Sequence, residues 1–239
     1  MSVVPILMYH NLGRPPAGAR LRSLYVRRGA FARQMRLLRL LGYRGLSMGA
    51  AMPYLRGERQ GRVAVITFDD GYVDTLAAAL PVLQGHGFSA TCYAVSARLG
   101  QHNDWDADEL GVRKPLMDRV QLRRWRDAGM EVGAHTRTHP HLPACSAAQL
   151  HDEVAGSKAE LEDVLGVPVT QFCYPYGDLD ARSIDAVQQA GFAAATTTRR
   201  GRARPGDDLF RLARVLVGGH NLPHLFALKI LSNYEDRRG

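Results

Sequence analysis

The sequence has few cysteines and no long apolar run. Its 239 residues include three cysteines, Cys92, Cys145 and Cys173, with no C-x-x-C pair. This excludes a disulfide framework and a cysteine-rich zinc site. No stretch approaches the roughly 18–20 apolar residues of a membrane-spanning helix. The first residues also lack a basic segment followed by an apolar one. A secretory signal is therefore not expected, and we predict a cytoplasmic protein, either free or associated with a membrane surface.

Disorder and nucleic-acid binding are not expected either. The chain is 46% hydrophobic and 23% charged, and it is long enough to bury a substantial core. It has no aromatic RNA-binding motif, zinc finger or GxxG clamp. The net charge of +8 includes four arginines within Arg199–Arg204. Such a cluster attracts anionic lipid or phosphorylated substrate, or it simply belongs to a solvated arginine-rich face, which is the commoner case.

Short apolar runs alternate with helix-like segments along the whole chain. The predicted strands are Val3–Met8, Val63–Phe68, Ala90–Val95, Met130–Ala134, Val169–Tyr174, Phe192–Thr197 and Leu212–Val217. Between them, apolar residues recur at helical spacing, as in Phe31–Leu41 and Leu150–Leu165. This alternation is typical of parallel βαβ units. About seven such units favour a barrel over an open sheet, so we predict a single α/β barrel-like domain over residues 1–239.

The clearest predicted strand, Val63–Phe68, runs directly into Asp69-Asp70-Gly71. In barrels of this class, catalytic groups lie at the C-terminal ends of the strands. Adjacent carboxylates at a strand end point in different directions, so one can bind a metal while the other accepts a proton. The alternative is an ordinary turn, because Asp-Asp-Gly is also favourable in turns.

A second strand end carries three histidines within seven residues, His135, His139 and His141. On a helical turn, the spacing of four places His135 and His139 on one face. Two neutral imidazoles and one carboxylate match a three-ligand catalytic zinc site with an open position for water. Other divalent metals accept the same ligands. His141 is expected to lie behind these ligands or on the surface.

A third strand end is Phe172-Cys173-Tyr174-Pro175-Tyr176-Gly177. Its proline and glycine favour a tight turn that can aim a backbone N–H into a site, as an oxyanion hole requires. An ordinary aromatic-rich turn is the alternative. The sequence has no G-x-S-x-G elbow, P-loop or H-E-x-x-H motif. A nucleophilic role for Cys173 would need an activating histidine that the sequence does not identify.

These motifs, T-F-D-D-G at 67–71, H-T-R-T-H at 135–139 and F-C-Y-P-Y-G at 172–177, resemble those of the polysaccharide deacetylases. This is carbohydrate esterase family 4, with its NodB-like domain, and the order and spacing agree over about residues 60–200. The resemblance implies a distorted (β/α)7-type barrel. It also implies removal of N-acetyl groups from aminosugars with one divalent metal ion, expected to be zinc, with cobalt, nickel, iron or manganese as alternatives.

The same resemblance implies individual roles. Asp70, His135 and His139 would bind the metal, and Asp69 would be the general base. The backbone N–H of Tyr176 would stabilise the oxyanion, next to Tyr174 and Pro175 in the substrate-binding turn. Trp105 is a candidate for the rim of the substrate site.

The chain departs from the family pattern in two places. Where the family has an arginine that tethers the base, this chain has Cys173, and Arg214 is a candidate replacement. The family's acid is a histidine after a late strand, whereas here the best match is Ile6-Leu7-Met8-Tyr9-His10 at the front. This resembles the permuted branch of poly-N-acetylglucosamine deacetylases. We therefore predict His10 as general acid, with His220 as the alternative.

The predicted function is a metal-dependent N-deacetylase that acts on an acetylated aminosugar. The substrate would be a cell-envelope glycan or its lipid- or nucleotide-linked precursor, and the positive charge favours the phosphate-linked form. One alternative is a related C–N hydrolase, such as a deformylase or cyclic amidase. Another is a non-catalytic sugar- or lipid-binding domain with a degenerate site, which Cys173 favours. Residues Leu225–Gly239 are candidates for membrane contact or dimerisation, and the oligomeric state is left open.

Overall fold

Seven parallel strands close into a ring in the computed structural model, which describes residues 3–239. The order around the ring is β1 (Ile6–Tyr9), β10 (Leu212–Leu216), β9 (Ala194–Arg200), β8 (Gln171–Cys173), β7 (Glu131–Ala134), β6 (Thr91–Ala94) and β5 (Val63–Phe68), which pairs again with β1. The predicted (β/α)7-type barrel is confirmed. Met1 and Ser2, which begin the predicted domain and N-terminal segment, lie outside the described residues.

Three short strands complete the sheets. β4 (Arg44–Leu46) pairs with the first half of β5, and β2 (Asn11–Leu12) pairs with β3 (Tyr25–Val26) in a separate two-stranded sheet. All seven predicted strands are present, although their ends differ by up to three residues from the prediction. The short strands were not predicted, because two or three residues are too few to show a periodic pattern.

Helices surround the ring. They are α1 (Arg28–Leu40), α2 (Met48–Leu55), α3 (Leu80–His86), α4 (Ala107–Leu110), α5 (Arg119–Asp127), α6 (Ala147–His151), α7 (Ser157–Leu165), α8 (Ala181–Gln189) and α9 (Pro223–Leu231). Two wide π-type turns occur, Thr75–Ala79 before α3 and Asp152–Gly156 between α6 and α7. Within the described residues, no helix combines the length and the apolar character needed to cross a membrane.

Alternation along β5 separates two apolar clusters. Val63 and Val65 belong to an inner cluster that α2 covers at one end, whereas Ile66 and Phe68 pack in the larger cluster between the strands and the outer helices. Because successive side chains of a strand point to opposite faces, the inward series continues through Thr67 towards position 69. The strand that forms the core therefore also directs a carboxylate into the end of the barrel.

The arginine cluster mainly anchors the end of the chain. Arg200 makes two hydrogen bonds to Glu235, at 2.7 and 2.8 Å. Arg202 and Arg204 both pair with Asp236. Three of the four arginines that suggested an anionic partner are thus paired within the chain. The segment Leu225–Gly239, the candidate for membrane contact or dimerisation, is packed against the barrel through α9, which buries Phe226 and Ile230 in the core.

Candidate active site

The register between β1 and β5 brings His10 next to Asp69. Tyr9 lies opposite Phe68, and the Asp69 N–H donates to the Tyr9 carbonyl at 3.0 Å. The next residue of each strand therefore lies at the same level at the C-terminal end of the barrel. His10 Nε2 is 3.7 Å from Asp69 Oδ2. The structure thus brings the predicted acid and the predicted base together, although they are 59 residues apart in sequence.

Arg214, from β10, holds the Asp69 carboxylate. Its Nη1 and Nη2 donate to the two carboxylate oxygens at 2.7 and 2.8 Å, and its Nε donates to the Thr197 carbonyl at 2.7 Å. Burial raises the pKa of Asp69, but the Arg214 guanidinium and then His10 outweigh burial and hold that pKa below its ordinary value. Asp69 is therefore ionised near neutral pH and fixed in orientation, as a proton acceptor requires.

Cys173 occupies the space beside this arginine. Arg214 Nη2 lies 3.3 Å from the Cys173 sulfur, and both residues are fully buried. A guanidinium from β10 therefore occupies the interior where the family pattern expects an arginine from position 173. This geometry agrees with Arg214 as the candidate replacement for the arginine that the family has at position 173.

Asp70, His135 and His139 converge on one point. Their candidate ligand atoms all lie within 4.8 Å of one another, and all three residues are buried. Asp70 Oδ1 is 3.6 Å from His135 Nε2 and 3.5 Å from His139 Nε2, which is longer than a hydrogen bond. A carboxylate oxygen and two imidazole nitrogens around a shared gap are the donor set of a three-ligand catalytic metal site.

The two imidazoles are suited to a metal. His135 Nδ1 lies 2.7 Å from the Cys173 carbonyl oxygen, which can only accept, so Nδ1 carries a proton and Nε2 is the nitrogen that faces Asp70 and would bind a metal. Burial, and then the neighbouring His135, lower the pKa of His139 to about 3, so His139 is a neutral imidazole over the physiological pH range. These residues therefore fit a divalent metal ion.

The turn after β8 places Tyr176 over this site. Tyr176 is in the left-handed region, with φ 58°, and Gly177 follows with φ 77°. A Cβ at position 177 would lie 2.0 Å from Thr198 Oγ1, so this close approach requires glycine. Tyr174 and Tyr176 line the same cavity as the metal-site residues. Pro175 is buried beneath the turn and is not among the lining residues.

Aromatic contacts extend the site on both sides of His139. Trp105 stacks on the His139 ring at 4.7 Å between centroids, although it is not among the cavity-lining residues, and its place at the substrate rim stays a prediction. Tyr176 meets the same ring edge-on, at 4.6 Å. His141 stacks on Tyr176 at 4.0 Å and pairs with Asp178. His141 is exposed and thus lies on the surface, which is one of the two places expected for it. The alternative acid, His220, is exposed and is not among the cavity-lining residues.

The sequence analysis did not identify the acidic mouth of the cavity. Asp106 and Glu109 line it, and none of its described lining residues is lysine or arginine. Burial, and then the carboxylate of Asp70, raise the pKa of Asp106 to about 7. These residues lie on and before the four-residue helix α4, in a segment with no recognisable motif. Only the folding of that segment over the barrel end revealed them.

Comparison with known proteins identifies the family of the chain. The sequence profile of the polysaccharide deacetylase family matches residues 56–195, and the chain therefore belongs to that family. YxkH of Bacillus subtilis (strain 168), named as a candidate polysaccharide deacetylase, is 27% identical over 216 residues, which are 90% of this chain and 71% of YxkH. The poly-beta-1,6-N-acetyl-D-glucosamine N-deacetylase of Escherichia coli (strain K12) is 24% identical over 266 residues, which cover 96% of this chain and 38% of that protein.

Solved structures show the same architecture. A structure described as a candidate polysaccharide deacetylase from Bacillus anthracis has a TM-score of 0.81 at 26% identity, covering 96% of this chain and 69% of that one. The structure of IcaB from Ammonifex degensii has a TM-score of 0.78 at 25% identity, covering 95% of this chain and 97% of that one. The likeness extends over nearly all of this chain.

Proposed function

We propose that this protein is a metal-dependent hydrolase that removes the N-acetyl group from an acetylated aminosugar in a glycan. The observation that carries the proposal is the adjacent pair of carboxylates with separate surroundings. Asp70 faces two imidazole nitrogens, whereas Asp69 faces Arg214 and His10. A binding module has no need for a proton acceptor beside a metal site. Membership of the polysaccharide deacetylase family supports the same reaction.

Asp70, His135 and His139 are the residues that would hold the metal ion. When bound, a divalent ion there supplies Lewis acidity, which activates water and polarises the acetamide carbonyl. Zinc suits the two-histidine, one-carboxylate set, and cobalt, nickel, iron and manganese accept the same ligands.

The remaining residues divide the proton transfers. Asp69 takes a proton from the attacking water as the new C–O bond forms. The Tyr176 backbone N–H would donate to the oxygen that becomes negative. His10 then gives a proton to the amide nitrogen, so that the C–N bond breaks and a free amine and acetate leave. The 3.7 Å separation of His10 Nε2 from Asp69 Oδ2 supports this division, because it places a second proton-transfer group beside the base.

The charge at the cavity mouth bears on the substrate. Asp106 and Glu109 favour neutral or amine-bearing sugar units near the reacting amide and disfavour a phosphate group there. We therefore propose a glycan chain as the primary substrate. A lipid- or nucleotide-linked precursor would have to keep its phosphate away from this mouth. Association with a membrane surface and a cytoplasmic location stay predictions.

Metal content and acetate release test the proposal together. We expect about one divalent ion per purified chain, lost in His135→Ala, and metal-dependent acetate release from N-acetylglucosamine oligomers. Phosphate-linked N-acetylhexosamine, assayed at the same concentration, should release acetate more slowly. Release of formate from formylated sugars alone would indicate the related C–N hydrolase instead. A wild-type chain that binds no added zinc, nickel or cobalt would refute the metal site and favour a non-catalytic binding domain.

A further inference from the structure

The segment His135–His139, here called the histidine loop, has a backbone that its own sequence disfavours. Thr136 and His139 both adopt left-handed conformations, with φ of 63° and 68°. Side chains other than glycine rarely take this region, and for a β-branched threonine it is a clear outlier. The loop carries two of the three candidate metal ligands. Contacts from elsewhere in the chain must therefore hold it in this shape.

The backbone N–H groups of Ser96 and Ala97 bind the carbonyls of Thr136 and Arg137, and Glu153, from the wide turn between α6 and α7, binds the N–H side of the loop. One oxygen of its carboxylate accepts the backbone N–H groups of Arg137 and Thr138, at 2.8 and 2.9 Å. Its other oxygen accepts the Thr138 hydroxyl. Within the loop, His139 N–H donates to Thr136 Oγ1 at 3.0 Å. Consecutive N–H groups that converge on one anion form a nest, and here the bound anion is part of the protein.

The wide turn is what brings this carboxylate to the loop. Residues Asp152–Gly156 form a π-type turn, a distortion that often occurs beside functional sites. Glu153 is 9% exposed, so its charge is largely removed from water and depends on the loop's donors. A Cβ at Gly156 would lie 2.7 Å from Arg137 Cδ, so glycine also lets the loop pack against the turn.

Other acids near the loop bind side chains instead of its backbone. Arg137 Nε donates to Glu160 Oε1 at 2.8 Å, and its guanidinium also pairs with Asp152. These contacts lie outside the nest, and their loss leaves the two backbone N–H groups satisfied. Glu160 therefore provides a matched control on the same run of helix.

We propose that Glu153 is a positioning residue, which fixes the histidine loop so that His135 and His139 face Asp70 in the geometry the metal requires. Glu153 is neither one of the candidate metal ligands nor a cavity-lining residue, and it acts through the backbone of residues 137 and 138. This inference rests on the proposed metal site. Outer groups that orient metal ligands typically alter affinity by about 10- to 100-fold.

Zinc affinity in three variants tests the proposal. Chelator competition on initially metal-free protein measures the affinity, and the thermal unfolding midpoint of the metal-free protein is measured beside it. Glu153→Met keeps the side-chain length and removes every acceptor, so we expect zinc binding to weaken by about 10- to 100-fold. Glu153→Gln keeps an oxygen for the two N–H groups and should recover most of that affinity. Glu160→Met should bind zinc as wild type does.

A purely structural role would give a different result. In that case Glu153→Met would lower the unfolding midpoint of the metal-free protein while its zinc affinity stayed equal to that of wild type, and the proposal would be overturned. If Glu153→Met does not fold, Thr138→Val removes one donor and should weaken zinc binding by about 2- to 10-fold, whereas unchanged affinity would overturn the proposal. Wild-type protein that binds no zinc would instead refute the proposed function itself.

Discussion

Arg214 and Asp69, 145 residues apart in sequence, form a bidentate ion pair in the interior of the barrel. Both side chains are almost completely buried, and the guanidinium is also bound to the Thr197 carbonyl and to Thr67 Oγ1. A planar fork of donors matches a carboxylate in geometry as well as in charge. The pair therefore fixes both the ionisation and the direction of the carboxylate that we propose as the base.

Replacing Arg214 tests this pair. Arg214→Met leaves Asp69 buried without its main partner, so we expect a loss of about 3–5 kcal/mol in the free energy of unfolding. Because Arg214 lowers the pKa of Asp69, that pKa should rise and the acid limb of the activity profile should move to higher pH. Urea unfolding and the pH dependence of acetate release measure the two effects.

Arg214→Lys is the companion variant, because it keeps the charge and loses the two-point geometry. It should retain more stability than Arg214→Met but recover only part of the activity. The pKa shift of Asp69 also makes the folding stability depend on pH, with a definite sign. A carboxylate with a depressed pKa adds stability above its unfolded pKa, and that stability is lost as pH falls through the folded pKa. An unchanged acid limb in Arg214→Met would contradict the role given to the pair.

The proposed base has a direct test in Asp69→Asn, which keeps the shape of the side chain and removes the proton acceptor. We expect acetate release to fall by about 100- to 10,000-fold. Zinc content should stay near that of wild type, because Asp70, His135 and His139 are unchanged. Asp70→Asn serves as the contrast, since it should lower both zinc content and turnover. Undiminished turnover in Asp69→Asn would remove the assignment.

Substitutions at His10 and His220 distinguish the two candidates for the general acid. His10 is half-buried in the site and 3.7 Å from Asp69, whereas His220 is exposed and is not among the cavity-lining residues. We expect His10→Gln to lower kcat by about 100- to 10,000-fold with normal zinc binding. His220→Gln should behave as wild type. Equal, small effects of the two substitutions would show that neither histidine donates the proton.

The raised pKa of Asp106 should make the stability difference between wild type and Asp106→Asn depend on pH. Burial and then Asp70 raise the pKa of Asp106 from 3.8 to about 7. A raised carboxyl pKa stabilises the folded state at low pH, and this contribution is lost as pH rises towards the folded pKa. Relative to wild type, metal-free Asp106→Asn should therefore gain stability between pH 4.5 and pH 7.5. Urea unfolding of both proteins at the two pH values measures the difference, and parallel behaviour would contradict the shift.

The barrel was largely predictable from local pattern. Val63–Phe68 was predicted with its observed ends, because six consecutive buried residues followed by Asp-Asp-Gly leave little alternative. The two-residue strands and the wide turn at Asp152–Gly156 were not predicted. Sequence periodicity predicts one longer helix over Leu150–Leu165, and the chain is helical throughout this range. The π-type segment inside it, which carries Glu153, was not predicted, because only one wide turn departs from the regular helix.

The sequence by itself determined the strand–helix alternation, the three motif-bearing strand ends and the candidate ligands Asp70, His135 and His139. These are local features, since each motif directly follows its strand and side-chain alternation sets its direction. Only the tertiary structure decided that Arg214 holds Asp69, that His10 and not His220 reaches the cavity, and that Glu153 supports the histidine loop. The contacts of Asp69 with Arg214 and with His10 join segments far apart in the chain, and closure of the ring between β1 and β5 brings His10 to Asp69. Glu153 is much nearer to the loop in sequence, and the path of the chain between β7 and β8 brings its carboxylate there. The net positive charge was the least informative sequence feature for the substrate. The arginine cluster pairs with Glu235 and Asp236, while the cavity mouth is acidic.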